Sequence, residues 1–168
     1  EDHQRIRYQY WRTVTELLLN GYFDQVGAWC ETHGVDFSGH LMGEDTLEAQ
    51  IGFTGACMPL YEKMHLPGID HLTMSLNWTH WRRDMDKSGF RFIMTPKQCS
   101  SAANQFGRER ILAEMYAVSS QGITFEDRKQ IADWFFLLGI NYRCLHGSFY
   151  SMRSRRKRFY LPHLSYQQ

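Results

Sequence analysis

The chain has 168 residues, 19 basic and 18 acidic, for a net charge of +1, a balance that points to no polyanionic partner such as nucleic acid. Its length suits one domain, and 43% hydrophobic against 22% charged residues excludes an intrinsically disordered chain. No run of about 18 apolar residues occurs, so no membrane span is expected.

The opening EDHQRIRYQYW carries neither an initiator methionine nor a signal peptide, which predicts a fragment or processed chain. Residues 5–33 read as one helix or two. Trp11, Val14, Leu18, Tyr22, Val26, Trp29 and Cys30 recur at three- and four-residue steps. Asn20-Gly21 is placed to interrupt this helix, and Gly34 to cap its end. Residues 35–42 (VDFSGHLM) read as a strand that delivers His40, and Gly43-Glu44-Asp45 follow. The stretch 47–53 is ambiguous, weakened as a helix by Gly52 and Gly55. Pro59 fits the first turn of a short helix. Pro67-Gly68 then reads as a break before a strand over 69–75, which carries Asp70 and His71.

Residues 76–94 are aromatic and charged, with Trp78 and Trp81, and read as a long ordered loop over one end of the sheet. Thr95-Pro96-Lys97-Gln98 has the form of a helix start: a threonine cap, proline at the first position and glutamine at the third. That helix should run to 106 and close at Gly107. Residues 110–116 follow, an apolar Ile111-Leu112-Ala113 ending in Glu114, Met115 and Tyr116. Thr124 should cap the next helix, with Glu126 and Asp127 suited to its N-terminal dipole, and Gly139 should end it. The last strand is read over 140–151, with Asn141, His146 and Tyr150, before the basic run RSRRKR.

One unit repeats: helix, glycine, strand, polar loop. Strand starts lie 30 to 41 residues apart, which matches a parallel sheet with helical crossovers. Neither GxGxxG nor GxxxxGK[ST] is present, which argues against nucleotide-binding Rossmann and P-loop domains. The remaining parallel architecture is the (β/α)8 barrel. At about 250 residues for a whole barrel, the α/β units here make roughly half of one.

In a barrel the strand ends converge on one face. His40, Glu44, Asp45, Asp70, His71, Glu114, Tyr116, Asn141, His146 and Tyr150 would then gather there. Hydrolysis of a glycosidic bond needs two carboxyl groups, one to protonate the leaving oxygen and one to act as nucleophile or base. Glu44 and Glu114, two units apart, are the favoured pair, with Asp45 and Asp70 competing for the place of Glu44. Trp78, Trp81 and Tyr150 are candidate sugar-stacking rings. The histidines show no HExxH or HxH spacing, which argues against zinc, whereas calcium needs no compact motif. Cys30, Cys57, Cys99 and Cys144 form no CxxC pair and read as buried free thiols. Asn77-Trp78-Thr79 is a glycosylation triplet of a kind common by chance. A single basic run is more often solvated than nucleic-acid binding.

The segments GHLMGEDTLEAQ, YEKMHLPGIDHL, SSAANQFGRERILAEMY and GINYRCLHGSFYSMRSRRKR resemble large bacterial α-L-rhamnosidase-like enzymes, similar to glycoside hydrolase family 106. The resemblance implies that residues 1–168 are one segment, roughly the C-terminal half, of a (β/α)8 catalytic barrel truncated from a multidomain chain. It further implies hydrolysis of a terminal sugar, two catalytic glutamates matched by Glu44 and Glu114, an inverting course, and a periplasmic or extracellular location. His40, Asp45, Asp70, His71, Trp78, Tyr116, Asn141, His146 and Tyr150 would contact the sugar. No cofactor is required, calcium is allowed, and the other partners would be further domains of the same polypeptide. The competing expectation is a non-catalytic carbohydrate-binding or structural barrel segment, with the carboxylates merely paired to arginines.

Overall fold

The computed structural model describes residues 2–70, 91–117, 119, 122–149, 151, 153, 155 and 164–165. The loop expected over 76–94 therefore lies outside the described residues except for its last four. The elements in order are α1 (Asp2–Leu18), a π-helical turn (Leu19–Phe23), α2 (Asp24–Thr32), β1 (Ser38–Gly39), α3 (Leu47–Phe53), α4 (Met58–Glu62) and β2 (Leu66–Asp70). They continue as α5 (Arg91–Gln105), β3 (Leu112–Met115), α6 (Phe125–Leu137), β4 (Tyr142–Leu145), β5 (Ser148–Phe149) and β6 (Leu164–Ser165). Among the described residues, no helix is long and apolar enough to cross a membrane.

The four main strands form one parallel sheet in the order β1-β2-β3-β4, and β5 pairs in parallel with β6. Spatial order equals chain order, so the sheet has no point where the winding reverses, unlike a doubly wound fold. Asp70, Glu114 and Cys144 are neighbours across β2, β3 and β4, so they share a face. The other face carries Ile69, Ala113 and Met115, all buried in the main core with Tyr61, Cys99, Ile131 and Phe135. Helices cover that second face, and the guanidinium of Arg143 on β4 lies over the Phe136 ring of α6.

Helix punctuation follows local chemistry. Gly34, Gly107 and Gly139 take positive φ after α2, α5 and α6, as left-handed helix ends require. Thr124 caps α6 as expected, and together with Asp127 it forms a capping box. The π turn over Leu19–Phe23 adds a residue to the helical register. The buried stripe accordingly runs through Thr15, Phe23, Gly27 and Cys30, while Tyr22 and Trp29 are exposed.

Four boundaries differ from expectation. β1 is only two residues long rather than spanning 35–42. β2 includes the presumed break: Pro67 is its second residue, early enough to spare a ladder donor. A side chain on Gly68 would place its Cβ 2.7 Å from the Gly39 carbonyl, so glycine there permits close strand approach. Helix α5 already includes Arg91, with Pro96 inside it rather than at its first position. The residues read as its cap serve elsewhere: Thr95 Oγ1 donates to the Glu44 carbonyl (3.2 Å) and Gln98 Oε1 accepts from Gln50 Nε2 (2.7 Å). Finally, β4 is confined to Tyr142–Leu145, because Gly147, at positive φ, turns the chain after it. The ambiguous stretch 47–53 is helix α3, capped by Thr46, whose side chain accepts from Ala49 N.

Candidate functional site

Parallel strands present their carboxyl ends together, and that geometry builds the site. His40 follows β1, Asp70 ends β2, Glu114 lies one residue before the end of β3, and His146 follows β4. Glu114 Oε1 lies 2.6 Å from His146 Nδ1 and Glu114 Oε2 lies 3.6 Å from His40 Nε2. Donor atoms of His40, Asp70 and Glu114 all fall within 4.8 Å of one another. The Glu114 side chain is 27% exposed, open enough for a ligand to reach it. Asp70 Oδ1 is buried without a hydrogen-bond partner among the described residues.

The two carboxyl groups differ in their surroundings. Burial raises the pKa of Asp70 from its ordinary value, and the Glu114 charge adds to this, while His40 and His146 oppose it. Burial and a neighbouring like charge shift a carboxyl toward its protonated form, the direction that proton donation needs. Glu114 lies between two imidazoles, with one oxygen near His146 and the other near His40.

Glu44 has a different place. Its residue is 3% exposed. Tyr61 Oη donates to one carboxylate oxygen and Asp70 N donates to the other at 2.7 Å. Both oxygens are thus engaged inside the protein, and the expected position facing Glu114 across an open mouth is not found. The turn containing Glu44 is anchored by Gln50 Nε2 and Thr95 Oγ1, which both donate to its carbonyl. Burial pushes the Glu44 carboxyl up to about 7, against the lowering effect of the Tyr61 and Asp70 donors. Tyr61, Cys57, Cys99 and Asp70 are the titratable groups around it.

A carboxyl whose pKa rises on folding stabilises the fold below its unfolded value, and that contribution is lost as pH rises through the folded value. The melting temperature should therefore fall between pH 5 and pH 8. Glu44→Gln should flatten that slope in thermal melts across the range, and an unchanged slope would show that another group causes it.

The remaining candidates divide. Asp45 is half-buried in the turn before Thr46 and is not among the three residues whose donor atoms converge. Tyr116 follows β3 at a φ of 73°, a left-handed conformation rare for a tyrosine. Its hydroxyl donates to the Arg128 carbonyl at 3.2 Å, which pins the turn after Glu114 to α6. Asn141 corrects an expectation: it precedes β4, at the opposite end of the sheet. There Oδ1 accepts from Ile111 N (2.8 Å) and Nδ2 donates to Glu109 O (2.7 Å), stitching β3 to β4. His71, Trp78, Trp81 and Tyr150 lie outside the described residues. Sequence reasoning missed Tyr61, whose role depends on a contact 17 positions away, and Cys144. The latter is exposed, unlike the other three cysteines, and its alternation with Arg143 on β4 was the available signal.

The described donors do not by themselves make a calcium shell, which takes six to eight oxygens. Asp70 and Glu114 supply carboxylates and His40 an imidazole, a mixed set better matched to transition metals. Calcium would require further oxygens to join the two carboxylates.

No family model and no curated protein matches the chain. Among solved structures, the rhamnosidase from Novosphingobium sp. PP1Y is similar at a TM-score of 0.66 and 20% identity, over 83% of this chain. The chain spans 12% of that protein's length. At that identity the likeness speaks to the fold, a rhamnosidase-like arrangement of parallel α/β units.

Proposed function

We propose that this chain forms roughly the C-terminal half of a (β/α)8 barrel in a glycoside hydrolase that removes a terminal, α-L-rhamnoside-like sugar. The observation that carries the reading is the convergence of Asp70, Glu114, His40 and His146 at the carboxyl ends of successive parallel strands. Active sites of barrels lie at that end. Glu114 is the nucleophile or base, and Asp70, rather than Glu44, is the acid. His146 and His40 orient Glu114 and hydrogen-bond the sugar. The rhamnosidase-like fold supports the substrate class. An uncharged sugar fits a site of imidazoles and carboxyls that can match each hydroxyl with a donor or acceptor.

The test is a panel of aryl glycosides offered to the full polypeptide that carries this chain. Release from an α-L-rhamnoside, or from a closely related sugar, is expected. Binding without release from any member would favour the non-catalytic carbohydrate-binding alternative. Periplasmic or extracellular location belongs to the same reading, and cell fractionation checks it.

The stereochemistry of the product is a separate test of the acid. Asp70 and Glu114 oxygens within 4.8 Å are closer than the roughly 6.5–9.5 Å that an inverting pair needs to admit water, and nearer the ~5 Å of a retaining pair. NMR of the first-formed sugar should therefore show retention. Inversion, which the family resemblance favours, would remove Asp70 as partner and require a carboxyl from elsewhere in the polypeptide, leaving Glu114 in place.

Barrel closure also makes a prediction. Cys144 is exposed on the Glu114 face, and in a closed barrel that face is the interior. A bulky maleimide should label Cys144 in the 168-residue chain and be excluded in the full polypeptide. Equal labelling of both would count against closure.

A further inference from the structure

Glu44 is a buried acid in a turn, 26 positions from the strand end that it contacts. Its carboxylate takes the backbone N–H of Asp70 at 2.7 Å on one oxygen and the Tyr61 hydroxyl on the other. Tyr61 is itself fully buried on α4. The turn holding Glu44 is fastened in turn to α3 through Gln50 and to α5 through Thr95, and the Gln50 amide also meets Gln98 of α5. Two helices and a tyrosine thereby converge on one bond to the residue whose side chain faces Glu114.

We infer that Glu44 is a positioning residue: it fixes the backbone of Asp70 at the end of β2 and so aims the Asp70 carboxyl at the Glu114 site. This inference rests on the proposed assignment of Asp70 and Glu114 as the reacting pair. A hydrogen bond from a backbone N–H to a carboxylate is among the stronger kinds. Residues that hold a reacting group in a productive geometry affect turnover without touching substrate. The same bond can be made by a neutral acceptor of the same shape. In Glu44→Gln the amide oxygen accepts from Asp70 N, while the amide nitrogen donates to Tyr61, whose oxygen becomes the acceptor.

The experiment compares wild type, Glu44→Gln and Glu44→Ala in the full polypeptide, reading hydrogen exchange at the Asp70 amide and the kinetics of aryl-glycoside hydrolysis. Glu44→Gln should keep the amide protected and kcat within about threefold of wild type. Glu44→Ala should speed exchange at Asp70 on the order of tenfold or more and lower kcat by a similar factor, with little change in KM. Loss of kcat in Glu44→Gln with the amide still protected would make Glu44 a reacting acid and overturn the inference. Unchanged exchange in Glu44→Ala would also overturn it. Should the alanine variant fail to fold, Tyr61→Phe removes one anchor of the carboxylate while keeping the ring. It should raise Asp70 exchange severalfold, and no rise would count against the positioning role. If the wild-type protein hydrolyses nothing, the proposed function fails, and the exchange measurements still decide whether Glu44 fixes Asp70.

Discussion

Glu114→Gln should lower kcat by about 10²- to 10⁴-fold, the usual contribution of a positioned acid or base, while leaving the fold intact. Glutamine retains the volume and one acceptor oxygen, so the contact with His146, 2.6 Å in the native chain, can persist in part. What disappears is the charge and the ability to act as nucleophile or base. KM should move little, because sugar binding through the other groups survives. A side chain that only paired with histidines would behave differently: its loss would reduce activity modestly, in step with the melting temperature. Near-wild-type turnover in a well-folded Glu114→Gln protein would end the assignment. Asp70→Asn supplies the complementary result. An acid matters most when the leaving group is poor, so this variant should lose far more activity on an alkyl glycoside than on a dinitrophenyl glycoside. Equal losses on both would deny Asp70 the role of proton donor.

What the sequence reveals of this site, and what it conceals, divides along the distance between interacting residues. The β3 segment is legible because Ile111, Leu112 and Ala113 precede a carboxylate after a glycine-closed helix. The same local logic identifies the caps at Thr124 and Gly139. The repeat of such units is enough to predict a parallel sheet, and the strand pairing agrees. Glu44 shows the other side. Gly-Glu-Asp-Thr before a helix reads as a solvated N-terminal charge or a strand-end acid. The partners that bury it, Tyr61 and Asp70, come from 17 and 26 positions away, beyond any local pattern. Asn141 turns on a boundary instead: one residue before β4 rather than after it moves a polar side chain to the other end of the sheet. Pro67 and Pro96 mislead for a third reason. Each reads locally as punctuation, and tertiary packing instead holds each fully buried inside an element, against its intrinsic preference.

Gly55→Ala should destabilise the protein by about 2–5 kcal/mol, summing a left-handed backbone penalty with the cost of overpacking. Gly55 has a φ of 78°, and a Cβ there would sit 2.7 Å from the Trp11 carbonyl of α1 as well as against the Thr15 hydroxyl. The carbonyl is helix backbone and cannot step aside. The hydroxyl is also committed, lying 3.1 Å from the Trp11 carbonyl and 3.0 Å from the Thr54 carbonyl, with Thr15 buried at 6% exposure. The methyl group would therefore push α1 away from the α3–α4 connection and break a buried hydrogen bond between them. Chemical denaturation with a fluorescence readout would measure the loss, and one below about 1 kcal/mol, less than the backbone penalty alone, would show that α1 does not sit against Gly55 in solution. Combining the change with Thr15→Ala should recover part of the loss, since the two sites share a contact and cannot be additive. The remainder belongs to the Trp11 carbonyl and to the backbone conformation. Thr54 Oγ1 donates to the Gln50 carbonyl (3.2 Å), and the Gln50 amide supports the Glu44 turn, so α1 is linked to the site through that chain of bonds. Stability should nevertheless fail before chemistry: kcat per folded molecule should stay within about twofold of wild type, because the bonds from Glu44 to Asp70 and Tyr61 do not involve α1.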